Sequence, residues 1–600
     1  DQSERHGRGS DGGQAGVGRV MANITNKDLR EKLEQNRTGL AAHRKPWEQG
    51  NEEVARFTLR YLSPYVSGRR GGTRTGTVGA DRSVPRTTGG MANNRLYNSH
   101  ALRAHRTLSN GMSSGMSSPS QQWFKYESDS ETNGYQSAKE WLDTCTTVVT
   151  DFLASTNIYH AMQSGYRENA LYGSEAGLFV PHWKYGGVGY PLTWGEYWMG
   201  SDDGMRIDTL YRHSPMTVGQ AVSRFGKEKL SKTVVENFDK GKIHDIVPIM
   251  HAIEPNEERL YGKIDKTNKP FRSIYWEAGA DSVKDDAGIL AFEGFDRKPF
   301  YTPRWETEGL NAYGTGPGFD VLPDARKLQL QEMRLQAAMD YLTRPALSAP
   351  VGSMESGQGL IPGSITFSAA TDLTARPQPI WEMPYQAVSV IGQDIDTRTA
   401  RAISEGFYEP LFMAITQMQG VQPRNIEEIA RRHEEQLSQL GPVVDRVQVE
   451  KLSVIVMQAF DMCAKLGMLP PVPDGLQGRE IKIKFTSVLA QAQRMIGLAG
   501  IERAVGFAGN LAASVPTIID NIDFDDLVRE YWERVGVPAK TLRSMEDVMA
   551  DRQAREQQAQ SERMAAMAPA LKDVASGAEL LSKTDVGGRS LLEGFLQPGV

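Results

Sequence analysis

Between Pro323 and Thr343 the apolar residues fall into two series: Leu328, Leu335 and Leu342 at heptad spacing, and Leu330, Met333, Ala337 and Tyr341 at steps of three and four. Residues at such spacings stack along one face of an α-helix, so the segment is expected as one helix carrying two apolar stripes. Two stripes call for two partners. That demand is met by a helix wedged between neighbouring subunits, or by one buried within its own subunit. At about 1.5 Å per residue the helix is roughly 30 Å long. A glycine turn, Gly314-Thr315-Gly316-Pro317-Gly318, leads into it.

The surrounding chain mixes helical and strand patterns, which predicts an α+β, mainly helical fold. Trp141, Cys145, Val148, Phe152 and Tyr159 recur at helical spacing and predict an amphipathic helix over 138–162. From Ala176 to Arg212 short aromatic runs are cut by glycines, among them Phe179, Trp183, Tyr185, Tyr190, Trp194, Tyr197 and Trp198, which reads as strands and tight turns. Aromatics of this kind can stack on nucleic-acid bases. Only Lys184 lies among them to meet a phosphate, so they are expected in the core of a sheet. Thr217 and Gln220 form a capping-box pattern that opens a helical segment to about Phe238, with a break expected near Gly226. Residues 246–301 read as a small β-rich module. Further helices are expected over about 387–412, 425–440 and 443–466, then a strand carrying Ile481, Ile483 and Phe485. More helices follow to about Gln560.

Six hundred residues with 39% hydrophobic and 24% charged content can bury several cores. The formal net charge of −6 is not that of a chain that grips phosphates tightly. Two cysteines, Cys145 and Cys463, stand in helical contexts and are expected as reduced core residues. The apolar stretch from Val443 to Phe460 is interrupted by Asp445, Arg446, Glu450 and Lys451, so no span across a bilayer is expected. Residues 1–20, polar and Gly-rich, are expected as a leader segment ahead of a start at Met21. Residues 51–120 hold ten arginines and no lysine, and 68–90 read as a long surface loop.

No catalytic signature stands out. The glycine cluster at 314–318 lacks the lysine of a phosphate loop, and Gly186, Gly187 and Gly189 lack a dinucleotide context. The ten histidines are scattered without zinc-hydrolase spacing. Gly111-Met112-Ser113-Ser114-Gly115 matches the pattern of a hydrolase elbow, yet it follows a helix and leads to Pro119, so it is expected as a flexible turn. The acid groups Asp202-Asp203, Asp285-Asp286 and Asp523, Asp525, Asp526 are expected as polar turns. No catalytic residue, metal site or cofactor is assigned.

Three ordered blocks carry a resemblance. The first is Lys298-Pro299-Phe300-Tyr301-Thr302-Pro303-Arg304-Trp305-Glu306, followed by Tyr313 to Gly318 and the helix to Arg344-Pro345. The second runs from Leu440-Gly441-Pro442-Val443-Val444-Asp445-Arg446 through Gly467-Met468-Leu469-Pro470-Pro471. The third spans Ala101-Leu102-Arg103 to Gly111, Pro119 and Trp123-Phe124. Together, across 51–530, the chain resembles the portal, or head-to-tail connector, proteins of short-tailed double-stranded DNA bacteriophages.

The resemblance implies a structural subunit with wing, stem, clip and crown regions, assembling as a ring of about twelve copies around a DNA channel. On that plan residues 21–215 and 346–440 form the wing and channel loop, 216–240 one stem helix, 241–305 the clip, and 306–345 the second stem helix with its leading turn. Residues 441–556 form the crown and helical C-terminal region, and 557–600 a mobile tail. The channel loop would be Thr416 to Arg424, with Thr416, Gln417, Met418, Gln419, Gln422 and Arg424 facing DNA. Stem packing would use Leu328, Leu330, Met333, Leu335, Ala337, Tyr341 and Leu342. The implied partners are further copies of the chain, double-stranded DNA in transit, the major capsid protein, the terminase motor and tail adaptor proteins, with no membrane. Its place would be the portal vertex of the virion after assembly in the host cytoplasm. Alternatives are a virion adaptor or scaffold that does not form the channel, and a nucleic-acid enzyme, which the missing phosphate loop disfavours.

Overall fold

The computed structural model describes residues 26–61, 63, 65–66, 96–128, 136–260, 262–263, 265–278, 288–350, 364–368, 378–379, 385–417, 434–473, 476, 479–487, 489, 505–508, 523–535 and 547–562. The leader at 1–20, the arginine-rich stretch at 68–90 and all of the tail beyond residue 562 lie outside them. The chain divides into two compact units, residues 1–496 and 497–600, each taken here by itself.

The first unit opens with helices α1 (Asn26–Thr58) and α2 (His100–Met116) and strand β1 (Phe124–Glu127). Helix α2 runs straight through the stretch expected as a flexible turn at 111–115. Gly111, Met112, Gly115 and Met116 are buried, and a Cβ on Gly111 would lie 2.3 Å from the ring of Phe412. Gly111 lets two helices touch.

Helices α3 (Gln136–Ser155) and α4 (Ile158–Tyr172) replace the single helix expected over 138–162. The hydroxyls of Ser155 and Thr156 donate back to the carbonyls of Phe152 and Leu153, competing with the helical ladder at the break. The apolar repeat carries on across it, so periodicity alone does not register the stop.

Strands β2 (Ala176–His182), β3 (Gly186–Leu192), β4 (Tyr197–Ser201) and β5 (Ile207–His213) fill the aromatic stretch. Phe179, Trp194, Tyr197 and Trp198 are buried as expected of a sheet core, but Trp183 is 91% exposed and Tyr185 57%. Those two sit at the β2–β3 turn, where no second layer covers them.

Strand β6 (Met216–Thr217) leads into α5 (Val218–Phe225) through a complete capping box between Thr217 and Gln220, and α5 ends at Gly226 with φ +80°. A separate helix, α6 (Lys232–Asp239), follows, then β7 (Ile246–Val247), β8 (Ile249–Pro255), β9 (Phe271–Glu277), β10 (Ile289–Phe295) and β11 (Phe300–Tyr301). The β-rich module does not stand alone. Its strands extend an antiparallel sheet in the order β10-β9-β8-β5-β4, so two of five strands come from before residue 216. Leu33 of α1 packs with Trp198, Tyr211, Ala252, Ile274 and Trp276, while Val218, Ala221 and Val234 of α5 and α6 cover Ile249 and Tyr275.

Helix α7 (Pro317–Thr343) starts six residues before the expected Pro323, with Pro317 at a position where its missing N–H costs nothing. A small sheet of β12 (Leu347–Pro350), β13 (Ile365–Ser368) and β14 (Gln378–Pro379) follows. Helix α8 (Tyr385–Asp394) passes through a π-helical turn, Ile395–Thr399, into α9 (Ala400–Gly406), and α10 (Glu409–Gln417) follows after Tyr408 at φ +51°. Helix α11 (Glu434–Val447) runs through Pro442, where a boundary was expected, then a second π-helical turn, Gln448–Leu452, and α12 (Ser453–Lys465). Leu440, Val443, Val444 and Val447 are all buried, so the apolar face is continuous across the proline. Strand β15 (Lys482–Phe485) pairs with β1, Phe485 opposite Phe124.

In the second unit, α13 (Phe524–Val535) is capped by Asp523, whose Oδ1 accepts the amides of Asp525 and Asp526. Arg552 donates two hydrogen bonds, 2.6 and 2.7 Å, to Asp525. Two of that acid trio are thus a cap and an ion pair. Among the described residues no helix is long and apolar enough to cross a membrane.

Candidate functional site

Helix α7 has two unlike sides. Val321, Ala325 and Leu328 are buried in the main core, and Leu335 packs at its margin. Leu330 and Met333 are 43% and 42% exposed, Ala337 is exposed, and Tyr341 and Leu342 are half-buried. The heptad series therefore begins inside the core, while most of the second series faces out. Gln329 is buried and fully used: its Oε1 accepts the amides of Tyr97 and Asn98, and its Nε2 donates to the Asn98 carbonyl. Lys327 and Gln331 both reach Asp394 at the end of α8, and their hydrogen bonds hold its carboxyl below the ordinary carboxylate range.

The start of α7 is seated on the end of α4 by backbone contact. Gly173 ends α4 at φ +71°, and a Cβ there would lie 2.1 Å from the carbonyl carbon of Thr315. On Gly316 it would lie 2.5 Å from the Gly173 nitrogen, and on Gly318 2.2 Å from the Leu171 oxygen. The glycine turn at 314–318 is a chain crossing that no side chain fits.

The segment Lys298 to Trp305 runs beneath this seat and ties three elements together. Phe300 and Tyr301 pair with β2. Lys298 donates to the Ile207 carbonyl at 3.0 Å, and burial pushes its ammonium down to about 8. The Arg304 guanidinium reaches the Glu450 carboxylate and the Met205 carbonyl, and the Arg304 amide also donates to Glu450. Arg446 donates to the Trp305 carbonyl.

Next to Glu450 in the π-helical turn is Lys451. Its Nζ lies 2.7 Å from Oε1 of Glu175 and donates to Oε2 at 2.9 Å, and also to the Met162 carbonyl at 3.1 Å. The ammonium stands 3.4 Å from the centre of the Tyr166 ring. Burial lowers Lys451 to about 8 against the pull of Glu175, and burial raises Glu175 against the pull of Lys451. Gly165 makes room for the acid, since a Cβ there would lie 1.7 Å from Glu175 Oε1.

Of the expected channel-loop residues, Thr416 and Gln417 close α10, while Met418, Gln419, Gln422 and Arg424 lie outside the described residues. Cys145 and Cys463 are buried and unbonded, with burial pushing their thiols up to about 12 and about 11. Sequence reasoning missed the Lys451–Glu175 and Arg304–Glu450 pairs. For the second a signal existed, because Arg304 lies in a block that carried the resemblance.

A family model described as "Bacteriophage head to tail connecting protein" matches residues 30–542. A relative in Bordetella phage BPP-1, named "Probable portal protein", is 32% identical over 486 residues, covering 80% of this chain and 86% of its own. A "Portal protein" of Salmonella phage epsilon15 is 31% identical over 535 residues, covering 88% of this chain and 93% of its own.

Proposed function

The chain belongs to the bacteriophage head to tail connecting protein family, and from that premise we infer that it serves as a portal: a structural virion component at the junction of head and tail. In the finer reading, about twelve copies close into a ring whose channel passes double-stranded DNA during packaging and ejection. The observation that carries this is the apolar outer side of α7, with Leu330 and Met333 uncovered on a helix whose other side is already in the core. A neighbouring copy would cover it. The terminase motor during packaging, and the tail adaptors afterwards, would dock on the β-rich segment 246–301, and the capsid protein on the wing. Residues 416–424 would form the channel loop, where one Arg424 per copy becomes a belt of weak, screened phosphate contacts.

Mass measurement and electron microscopy of the purified chain test the reading. Rings without ATP turnover are expected. A chain that stays monomeric at workable concentration, or that hydrolyses ATP, overturns it. For the loop, replacing Met418, Gln419 and Gln422 with glycine and Arg424 with glutamate should spare the rings and lower the fraction of full heads. Normal DNA retention in assembled particles removes that assignment.

A further inference from the structure

Helix α1 belongs to two separate packing units. Its later part, 46–58, is seated on α4 and α7. Val54 and Ala55 pack with Leu171 and Tyr313, a Cβ on Gly50 would lie 2.7 Å from the Phe319 ring, and Glu53 pairs with Arg326. Its earlier part, 26–41, belongs to a different apolar cluster. There Leu33 lies on one face of the five-stranded sheet, against Trp198, Tyr211, Ile274 and Trp276.

Pro46 stands where the packing partner changes. It has no N–H for the Ala42 carbonyl and its ring presses on that turn, so the helical ladder is weakened at this point. Arg44 pins the helix just before the proline. Its Nη1 donates to the carbonyls of Gly195 and Tyr197, and its guanidinium stands 4.7 Å from the centre of the Trp198 ring. Towards the N-terminus the hold is thin. Of residues 26–41 only Leu33 is buried. One polar tie is Glu34, which accepts the Trp276 Nε1–H at 2.7 Å and the Arg37 Nε–H at 2.8 Å. Another, Lys32 to Glu258 at 3.9 Å, is partly exposed and contributes little. Segments with few buried apolar contacts open at lower free energy than the core around them.

We propose that residues 26–41 form a detachable strap, hinged over 42–46, that lifts from the sheet as one unit while 47–58 stays seated. Lifting bares the side of Trp198, Tyr211 and Trp276 that α1 covers, so the strap decides when this aromatic face meets solvent. Strap opening does not depend on ring formation.

Residue-resolved hydrogen exchange of the full-length protein, followed by mass spectrometry at low urea, tests the strap. Amides of 30–41 should exchange together, at least about tenfold faster than those of 47–58, with a step at the proline. Simple fraying of a helix end would instead give protection that rises steadily from residue 30 to residue 58, and that outcome overturns the strap. Leu33→Ala should speed exchange of 30–41 by about thirtyfold and leave 47–58 as it is. If that variant does not fold, Glu34→Ala, at a partly exposed position, decides, with about tenfold faster exchange over 30–41 alone. Acceleration shared equally by 47–58, or none at all, overturns the strap. Pro46→Ala, which restores the missing bond, should remove much of the step, and a step that it leaves unchanged overturns the hinge.

Discussion

Nζ of Lys451 and the carboxylate of Glu175 lie 2.7 Å apart, and neither side chain has any solvent exposure. The pair joins the π-helical turn after α11 to the start of β2, across 276 residues of sequence.

Breaking that pair from one side leaves a charge in the core with nothing to face. Lys451→Met and Glu175→Gln should each cost about 3–5 kcal/mol, whereas the double variant should cost far less than the sum. Urea unfolding of the three variants checks this. Single variants as stable as the parent would show that the charges are not confined as described.

Gly173 and Gly226 both hold positive φ, +71° and +80°, but only Gly173 has another backbone against it. Gly226, at φ +80° and ψ 155°, lies in a region that is essentially glycine-only, so Gly226→Ala should cost about 1–3 kcal/mol, from strain alone. Gly173→Ala adds a clash with the Thr315–Gly316 peptide and should cost about 3 kcal/mol or more. Equal melting temperatures for the two variants would argue against the crossing.

Leu330 and Met333 face out from α7. Leu330→Asp with Met333→Asp should leave the folded chain within about 1 kcal/mol of the parent while abolishing rings, because only a neighbour's surface is affected. Circular dichroism and particle mass measure the two halves separately. Rings formed normally by this variant would move the subunit interface elsewhere.

His105 is buried, its Nε2 donating to the Arg167 carbonyl at 2.9 Å, and burial lowers it from 6.5 to about 4. Between those values the unfolded chain takes up a proton that the folded chain does not. Stability should therefore fall as pH drops from 6.5 towards 4, by about 3 kcal/mol in all. His105→Gln, which retains a donor, should flatten that part of the curve.

How much of this was legible in the sequence depends on the range of each interaction. The capping box at Thr217 and the helix at Pro317–Thr343 follow from residues within a turn or two of one another, and the sequence pattern carries them. The charges at 445–451 interrupt an apolar run and exclude a bilayer span, but nothing within a turn or two of Lys451 names its partner. Lys451 is buried, because Glu175 supplies its counter-charge from far along the chain. Gly111 and Gly115 read as a turn because glycine breaks isolated helices, and the Phe412 ring that requires the smallness of Gly111 lies some 300 residues later. Trp183 errs the other way, an apolar residue assigned to a core that the β2–β3 turn does not reach. For the channel loop, composition suggested polarity, and only two of its named residues fall within the described structure.

The glycine crossing at 173 and 316 also has a mechanical meaning. Side chains between two packed elements act as compliant spacers that can change rotamer under load, whereas at Gly173 the backbone lies directly on the Thr315–Gly316 peptide. A pull along α7 is therefore passed directly into α4 and, through Ser174, which bonds Gly314 from the first residue beyond the crossing, towards β2. Tension applied at the far end of the helix would be borne by the sheet before the first turn of α7 could yield.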